Sequence, residues 1–194
     1  MAKALVPSYS QAIQDLAAAD KDRQNEAFQT LSTMTAGPVD WAYDVWDNLL
    51  RLAHSGDNRQ RSIAGQILCN LAQSDPEQRI LRDIKVLLAL TRDERFVTAR
   101  HCLLALWKVA VCGRRQRKTV VDGLVQRFKE CASEKNGTLI RYDIQCVLRT
   151  IYDQTGDTEL RSAAETLIEL EQDPKYRKKY QSAWRSASVP PARK

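Results

Sequence analysis

A small apolar triplet recurs along this chain. It reads Ala27, Leu31 and Met34; then Ala64, Leu68 and Leu71; then Ala99, Leu103 and Leu106; then Ile144, Leu148 and Ile151; then Ala163, Leu167 and Leu170. Offsets of +4 and +7 put all members of a group on one face of a helix with 3.6 residues per turn, so each group predicts a helix with one buried stripe. In the first groups the leading alanine lets a neighbouring backbone approach closely. The groups start at residues 27, 64, 99, 144 and 163, which gives steps of 37, 35, 45 and 19 residues. The first two steps match a helix-pair repeat, whereas the last spans a single helix.

Amphipathic segments before the triplets supply the other member of each pair, over residues 8–19, 39–54, 76–90 and 116–132. Their apolar sets, such as Val45, Leu49 and Leu52 or Ile80, Ile84 and Leu87, again cover about one helical face. The punctuation agrees. Ser8 with Gln11, Asp57 with Gln60 and Thr91 with Glu94 have capping-box spacing, and Asp75 before Pro76 predicts a helix start at the proline. Gly37-Pro38, Gly56, Gly113, Asn136-Gly137 and Gly156 fall between the proposed helices as stop signals. Residues 96–111 (FVTARHCLLALWKVAV) are apolar around much of the helical circumference and predict one long middle helix with neighbours on both sides. No segment alternates with period two, so no sheet is expected. The pattern predicts an all-α chain of stacked helix pairs. A plain up-and-down bundle shares the local periodicity and is the alternative, above all after residue 110.

Two segments carry a family resemblance. DNRQRSIAGQILCNLA (57–72) and DERFVTARHCLLALWKVA (93–110) resemble the second helices of HEAT repeats, with Asp57, Arg61, Ala64, Leu68 and Leu71 in the first and Asp93, Val97, Ala99, Leu103 and Leu106 in the second. The resemblance implies a right-handed α-α superhelix of the HEAT/ARM-like solenoid kind, with about four helix pairs and a C-terminal capping helix or pair. One helical-repeat domain is expected over residues 1–186, and the tail over 187–194, short, polar and Pro-containing, is expected to be flexible. The resemblance also implies a scaffold or adaptor that binds another macromolecule along a curved surface, often on the second helices, with no catalytic residue and no cofactor.

Composition narrows this picture. An apolar fraction of 43% with 28% charged residues is that of a chain that folds. No long uncharged apolar run marks a membrane span, and a cytoplasmic protein is expected. The cysteines Cys69, Cys102, Cys112, Cys131 and Cys146 never stand as CxxC and read as reduced core residues; with only His54 and His101 beside them, no metal site is expected. The net charge of +6 is polarised: counting Lys and Arg against Asp and Glu, residues 1–56 carry −3, residues 57–113 carry +3, residues 114–135 carry +4 and residues 136–194 carry +2.

Candidate binding residues follow from charge and aromatic placement. Trp41, Tyr43, Trp46 and Asp47 form an aromatic and acidic group suited to a protein partner, because aromatic side chains concentrate at binding hot spots; the competing reading packs Trp46 beneath the neighbouring helix. Arg114, Arg115, Arg117 and Lys118, and a second cluster of Lys175, Arg177, Lys178 and Lys179 interleaved with Tyr176 and Tyr180, are candidates for anions or nucleic acid; the competing readings are a solvated loop and a polar cap closing the array. The enzyme case lacks a glycine-rich phosphate loop, a GxSxG and an HExxH. Alkylpurine DNA glycosylases built on HEAT-like helices use Trp, Asp and Arg, and Trp46, Asp47, Trp107 and Arg100 supply those types here without matching that family position by position. The leading expectation is a non-enzymatic protein-interaction module or adaptor. The alternative is a nucleic-acid binder using the basic clusters.

Overall fold

The computed structural model describes residues 8–185, so the tail expected over 187–194 lies outside the described residues. All regular structure among them is helical, and the chain groups into two compact units divided between Ala105 and Leu106.

The first unit holds α1 (Tyr9–Ala17), α2 (Lys21–Met34), α3 (Ala42–Ser55), α4 (Asn58–Leu71), α5 (Arg79–Leu90) and α6 (Phe96–Ala105). Its helices pack in sequence as pairs, and each also packs on the helix two places along: α1 on α3 and α3 on α5, α2 on α4 and α4 on α6. Odd and even helices therefore form two layers, with the triplet helices in the second. The second unit holds α7 (Trp107–Ala110), α8 (Arg114–Glu130), α9 (Gly137–Thr155), α10 (Thr158–Glu169) and α11 (Pro174–Ser182). It repeats the alternation, α7, α9 and α11 stacking in one layer and α8 on α10 in the other. This is the topology of a helical-repeat solenoid, and it decides against the plain bundle.

The triplets do what their spacing predicts in the middle of the chain. Ala64, Leu68 and Leu71, Ala99, Leu103 and Leu106, and Ile144, Leu148 and Ile151 are all buried. The first group keeps Ala27 and Leu31 inside while Met34 is half-buried. The fifth departs: α10 buries Leu160, Ala164, Leu167 and Ile168, leaving Ala163 half-exposed and Leu170 exposed. Its step of 19 residues moved the count by one helix rather than one pair, so α10 belongs to the opposite layer and turns a different face inward.

Helix ends obey capping chemistry with some shifts. Asp57 and Gln60 form the expected capping box, and Ser8 caps α1. Thr91 instead closes α5, its hydroxyl donating to the Leu88 carbonyl at 2.7 Å, and Asp93 takes over the following turn by accepting from Arg95 N–H at 2.9 Å. Helix α5 starts at Arg79 rather than Pro76. Gln78 adopts a left-handed φ of 55°, and Asp75 accepts from the N–H groups of Arg79 (2.8 Å) and Ile80 (2.7 Å), so the intervening residues form a turn. The single helix expected over residues 96–111 is interrupted at Leu106, whose carbonyl accepts from Val109 N–H at 3.1 Å in a tightened turn.

Polar ties between repeats span about one repeat length. Asn70 donates to Thr35 Oγ1 at 2.9 Å, Thr98 Oγ1 to the Asn58 carbonyl at 2.8 Å, and Arg117 Nε to Asp157 Oδ2 at 2.9 Å. At the start of α9 the backbone packs so closely that a Cβ on Gly137 would lie 2.0 Å from the Cys131 carbonyl oxygen. A main-chain oxygen cannot swing aside as a side chain does. Gly137→Ala is therefore expected to cost about 1–3 kcal/mol by overpacking, read as a lowered urea midpoint. An unchanged midpoint would show that the turn relaxes freely.

Candidate functional site

The second-layer face of the first unit carries an open groove of about 400 Å³. Asn25 and Phe28 reach it from α2, Asn58, Arg59, Ser62, Ile63 and Gln66 from α4, and Val97, Thr98 and His101 from α6. The repeat register explains why these residues meet. Asn25, Ser62 and Val97 each precede the buried triplet alanine by two positions, and Gln66 and His101 follow it by two. Two residues along a helix is about 200° around its axis, so both sets point away from the stripe that the alanine buries. That register was legible in the chain, but sequence reasoning aimed at clustered charge and aromatics passed over it, since Asn, Gln, Ser and His announce no chemistry singly.

The groove has a polar middle between apolar shoulders. Ser62 Oγ lies 3.1 Å from His101 Nδ1, and Gln66 Nε2 donates to the Ser62 carbonyl and hydroxyl at 3.1 and 3.3 Å. The first of these bonds clasps α4 to α6 across the groove. Neighbouring Cys102 is no nucleophile at neutral pH, since burial pushes its thiol up to about 12. Val97 is 61% exposed, the most open large apolar side chain among the described residues, and Phe28 on the opposite shoulder is half-buried.

A second hollow of about 340 Å³ surrounds Arg61 and Asp93. Arg61 Nε and Nη2 bind both Asp93 oxygens, at 2.6 and 2.9 Å, while Nη1 donates to the Gly56 carbonyl at 2.9 Å. Burial alone would raise the Asp93 pKa, but Arg61 and the Arg95 N–H outweigh it and hold the carboxyl below its ordinary range. Both partners are committed to each other, so this hollow is a clamp between repeats.

The residues singled out by sequence are dispersed. Trp46 is wholly buried and its indole Nε1 donates to Asp83 Oδ2 at 3.0 Å, which removes it from the surface patch and realises the packed reading. Tyr43 is half-buried and donates to Asp75 Oδ1 at 2.5 Å, Trp41 stacks on Tyr9 with centroids 4.5 Å apart, and exposed Asp47 pairs with Arg79. In the first basic cluster, Arg117 pairs with Asp157 at 2.9 Å and Lys118 with Asp122 at 2.7 Å, while Arg114 and Arg115 are exposed in the first turn of α8. In the second, Arg177 is tied to the Glu171 carbonyl at 2.6 Å, Lys179 lies 4.9 Å above the Tyr142 ring, and Lys175 and Lys178 are exposed. Tyr180 is wholly buried against Phe128, so it cannot stack on a base. The two clusters attach at opposite ends of α10, a helix of 12 residues and hence about 18 Å long. Arg100 is half-buried on α6, and Trp107 on α7 is half-buried beneath Lys108.

Among the described residues no group of His, Cys, Asp and Glu could hold a metal ion, and no helix is long and apolar enough to cross a membrane. No model of a known protein family matches the chain, and no curated protein matches it in sequence. Solved structures do. An engineered protein from the Northeast Structural Genomics Consortium is similar with a TM-score of 0.53 and 19% identity, over 90% of this chain and 77% of that one. A second engineered protein from the same consortium gives 0.51 and 19%, over 90% of this chain and 46% of its own length. A designed armadillo repeat protein in complex with the peptide (KR)4 gives 0.46 and 16% identity over 92% of this chain and 98% of that one, too distant to bear on function. The two likenesses above a TM-score of 0.5 concern fold alone, and they agree with the two-layer helix stack: the chain is an all-α helical-repeat solenoid.

Proposed function

We propose that this solenoid is a non-enzymatic protein-interaction module, an adaptor that receives a peptide segment of its partner in the groove across α2, α4 and α6. The observation that carries the reading is the composition of that groove. It offers an exposed aliphatic shoulder at Val97 beside the Asn58 amide, which can serve both the N–H and the C=O of a peptide backbone, and the Gln66 Oε1, which can accept from a peptide N–H while its Nε2 is held by Ser62. Ser62, His101 and Thr98 are already tied within the protein and hold the helices that frame it. The free cysteines suit a reducing, cytoplasmic setting.

The test is selection of random linear peptides displayed on phage against the whole chain, followed by Val97→Arg. Because Val97 is exposed, the variant keeps its fold by circular dichroism. Selected peptides are expected to bind it at least about tenfold more weakly, as burial of one aliphatic anchor implies. Peptides that bind both proteins equally, or no peptides at all, overturn the reading.

A further inference from the structure

We propose that the groove selects an acidic and aliphatic peptide, an Asp or Glu side chain meeting Arg59 beside an aliphatic residue seated between Val97 and Phe28. The inference rests on the groove being the binding surface and adds the chemistry of what it takes.

Arg59 is the reason. It stands at the second position of α4 and lines the groove, yet its guanidinium makes a single hydrogen bond, from Nη2 to the neutral Asn25 Oδ1, and its Nε is buried without an acceptor. Four other arginines of the first unit pair with carboxylates, Arg23 with Asp15, Arg61 with Asp93, Arg79 with Asp47 and Asp83, and Arg82 with Asp83; Arg51 also reaches an amide oxygen, that of Asn48 at 3.4 Å, but it does not line the groove. Asp57, two residues away, does not serve Arg59 as counter-ion, because its Oδ1 caps α4 by accepting from the backbone N–H of Arg59 and Gln60 at 2.8 Å. A guanidinium held by an amide rather than a carboxylate has no counter-ion of its own; the buried Nε stays inside, and the outer Nη groups can meet a planar carboxylate.

The rest of the groove chooses the class of macromolecule. Its other lining residues include no Asp, Glu, Lys or Arg, and Val97 and Phe28 give it apolar shoulders on α6 and α2. Nucleic acid needs several cations in register along its phosphates, which one arginine does not provide. One fixed positive charge next to an open aliphatic surface fits a short peptide motif.

The experiment uses the same phage selection, in which displayed peptides have no free C-terminus, so any carboxylate enriched comes from a side chain. Wild-type protein is expected to enrich Asp or Glu next to Leu, Ile or Val. Arg59→Gln, checked for fold by circular dichroism, should bind those peptides about tenfold more weakly and lose the acidic enrichment while keeping the aliphatic one. Arg59→Lys should retain part of the acidic preference. A pool that is sensitive to Val97→Arg but shows no acidic enrichment, or keeps it in Arg59→Gln, overturns the proposal and leaves the groove standing. A pool insensitive to Val97→Arg overturns both. Binding of a single-stranded oligonucleotide that is abolished by Arg59→Gln, with no peptide enriched, also overturns it.

Discussion

Replacing Trp46 by alanine is expected to destabilise the protein by about 3–5 kcal/mol, the range for deleting a large aromatic side chain from a packed interior. The side chain is 0% exposed, meets Tyr43 edge-on at 5.8 Å and lies 5.6 Å from the Arg79 guanidinium. Its indole N–H also serves Asp83, which accepts from Arg79 and Arg82 as well. Burial would push the Asp83 carboxyl up, but Arg82, Trp46 and Arg79 outweigh it and hold it below its ordinary range. Trp46→Phe separates the two contributions, keeping most of the packing and losing only the indole donor, at a cost of about 1–3 kcal/mol. Urea unfolding followed by circular dichroism measures both. A Trp46→Ala variant as stable as the parent would return Trp46 to the surface, where a partner could use it.

The second large effect belongs to Arg141 on α9. Its Nη1 donates to Glu171 Oε2 at 3.0 Å and its Nε to the Phe128 carbonyl at 3.0 Å, with the guanidinium 4.7 Å above the Phe128 ring. Glu171 is buried, accepting also from the Tyr180 hydroxyl at 3.1 Å and the Asp173 N–H at 3.1 Å. This knot fastens α11 to the helices beneath it. Arg141→Leu strips the cation from a buried carboxylate and is expected to cost about 3–5 kcal/mol at neutral pH.

The same knot has a pH signature. Burial alone would raise the Glu171 pKa, but the Asp173 N–H, Arg141 and the Tyr180 hydroxyl together bring it below 4.5. A carboxyl with a depressed folded pKa contributes stability above its ordinary value and loses it as pH falls through the folded one. The wild type therefore weakens below pH 4.5. In Arg141→Leu the burial penalty is no longer opposed by a cation, so the carboxyl shifts upward and its protonation relieves the defect. The stability gap between wild type and variant should narrow from neutral pH to about pH 4, near the carboxylate range. A gap independent of pH would assign Arg141 to packing against Phe128 rather than to charge.

How much of this was legible in the chain differs by level. Helix positions, the pairing of helices and the stripes at Ala64, Leu68 and Leu71 or Ile144, Leu148 and Ile151 follow from a 3.6-residue period that each segment carries within itself. Cap residues were partly legible: Asp57 does as its spacing predicts, whereas Thr91 and Asp75 serve different positions because a left-handed Gln78 and the turn at Asp93 rearranged the junctions. The groove was written in the register of Asn25, Ser62, Val97, Gln66 and His101 relative to the triplet alanines, but no single residue of it stands out from a solvated helix face.

What the sequence by itself determined was an all-α chain of repeating helix pairs with a traceable inner stripe, because helical periodicity and the burial of its apolar face are properties of a dozen consecutive residues. Tertiary structure alone decided which off-stripe side chains went inside and which charges were cancelled. Trp46 is claimed by Asp83 from the next repeat, Arg117 by Asp157 across the second unit, and Arg59 by no carboxylate. Those outcomes depend on partners one repeat away along the chain, and a local pattern holds no record of which side chain will be waiting there.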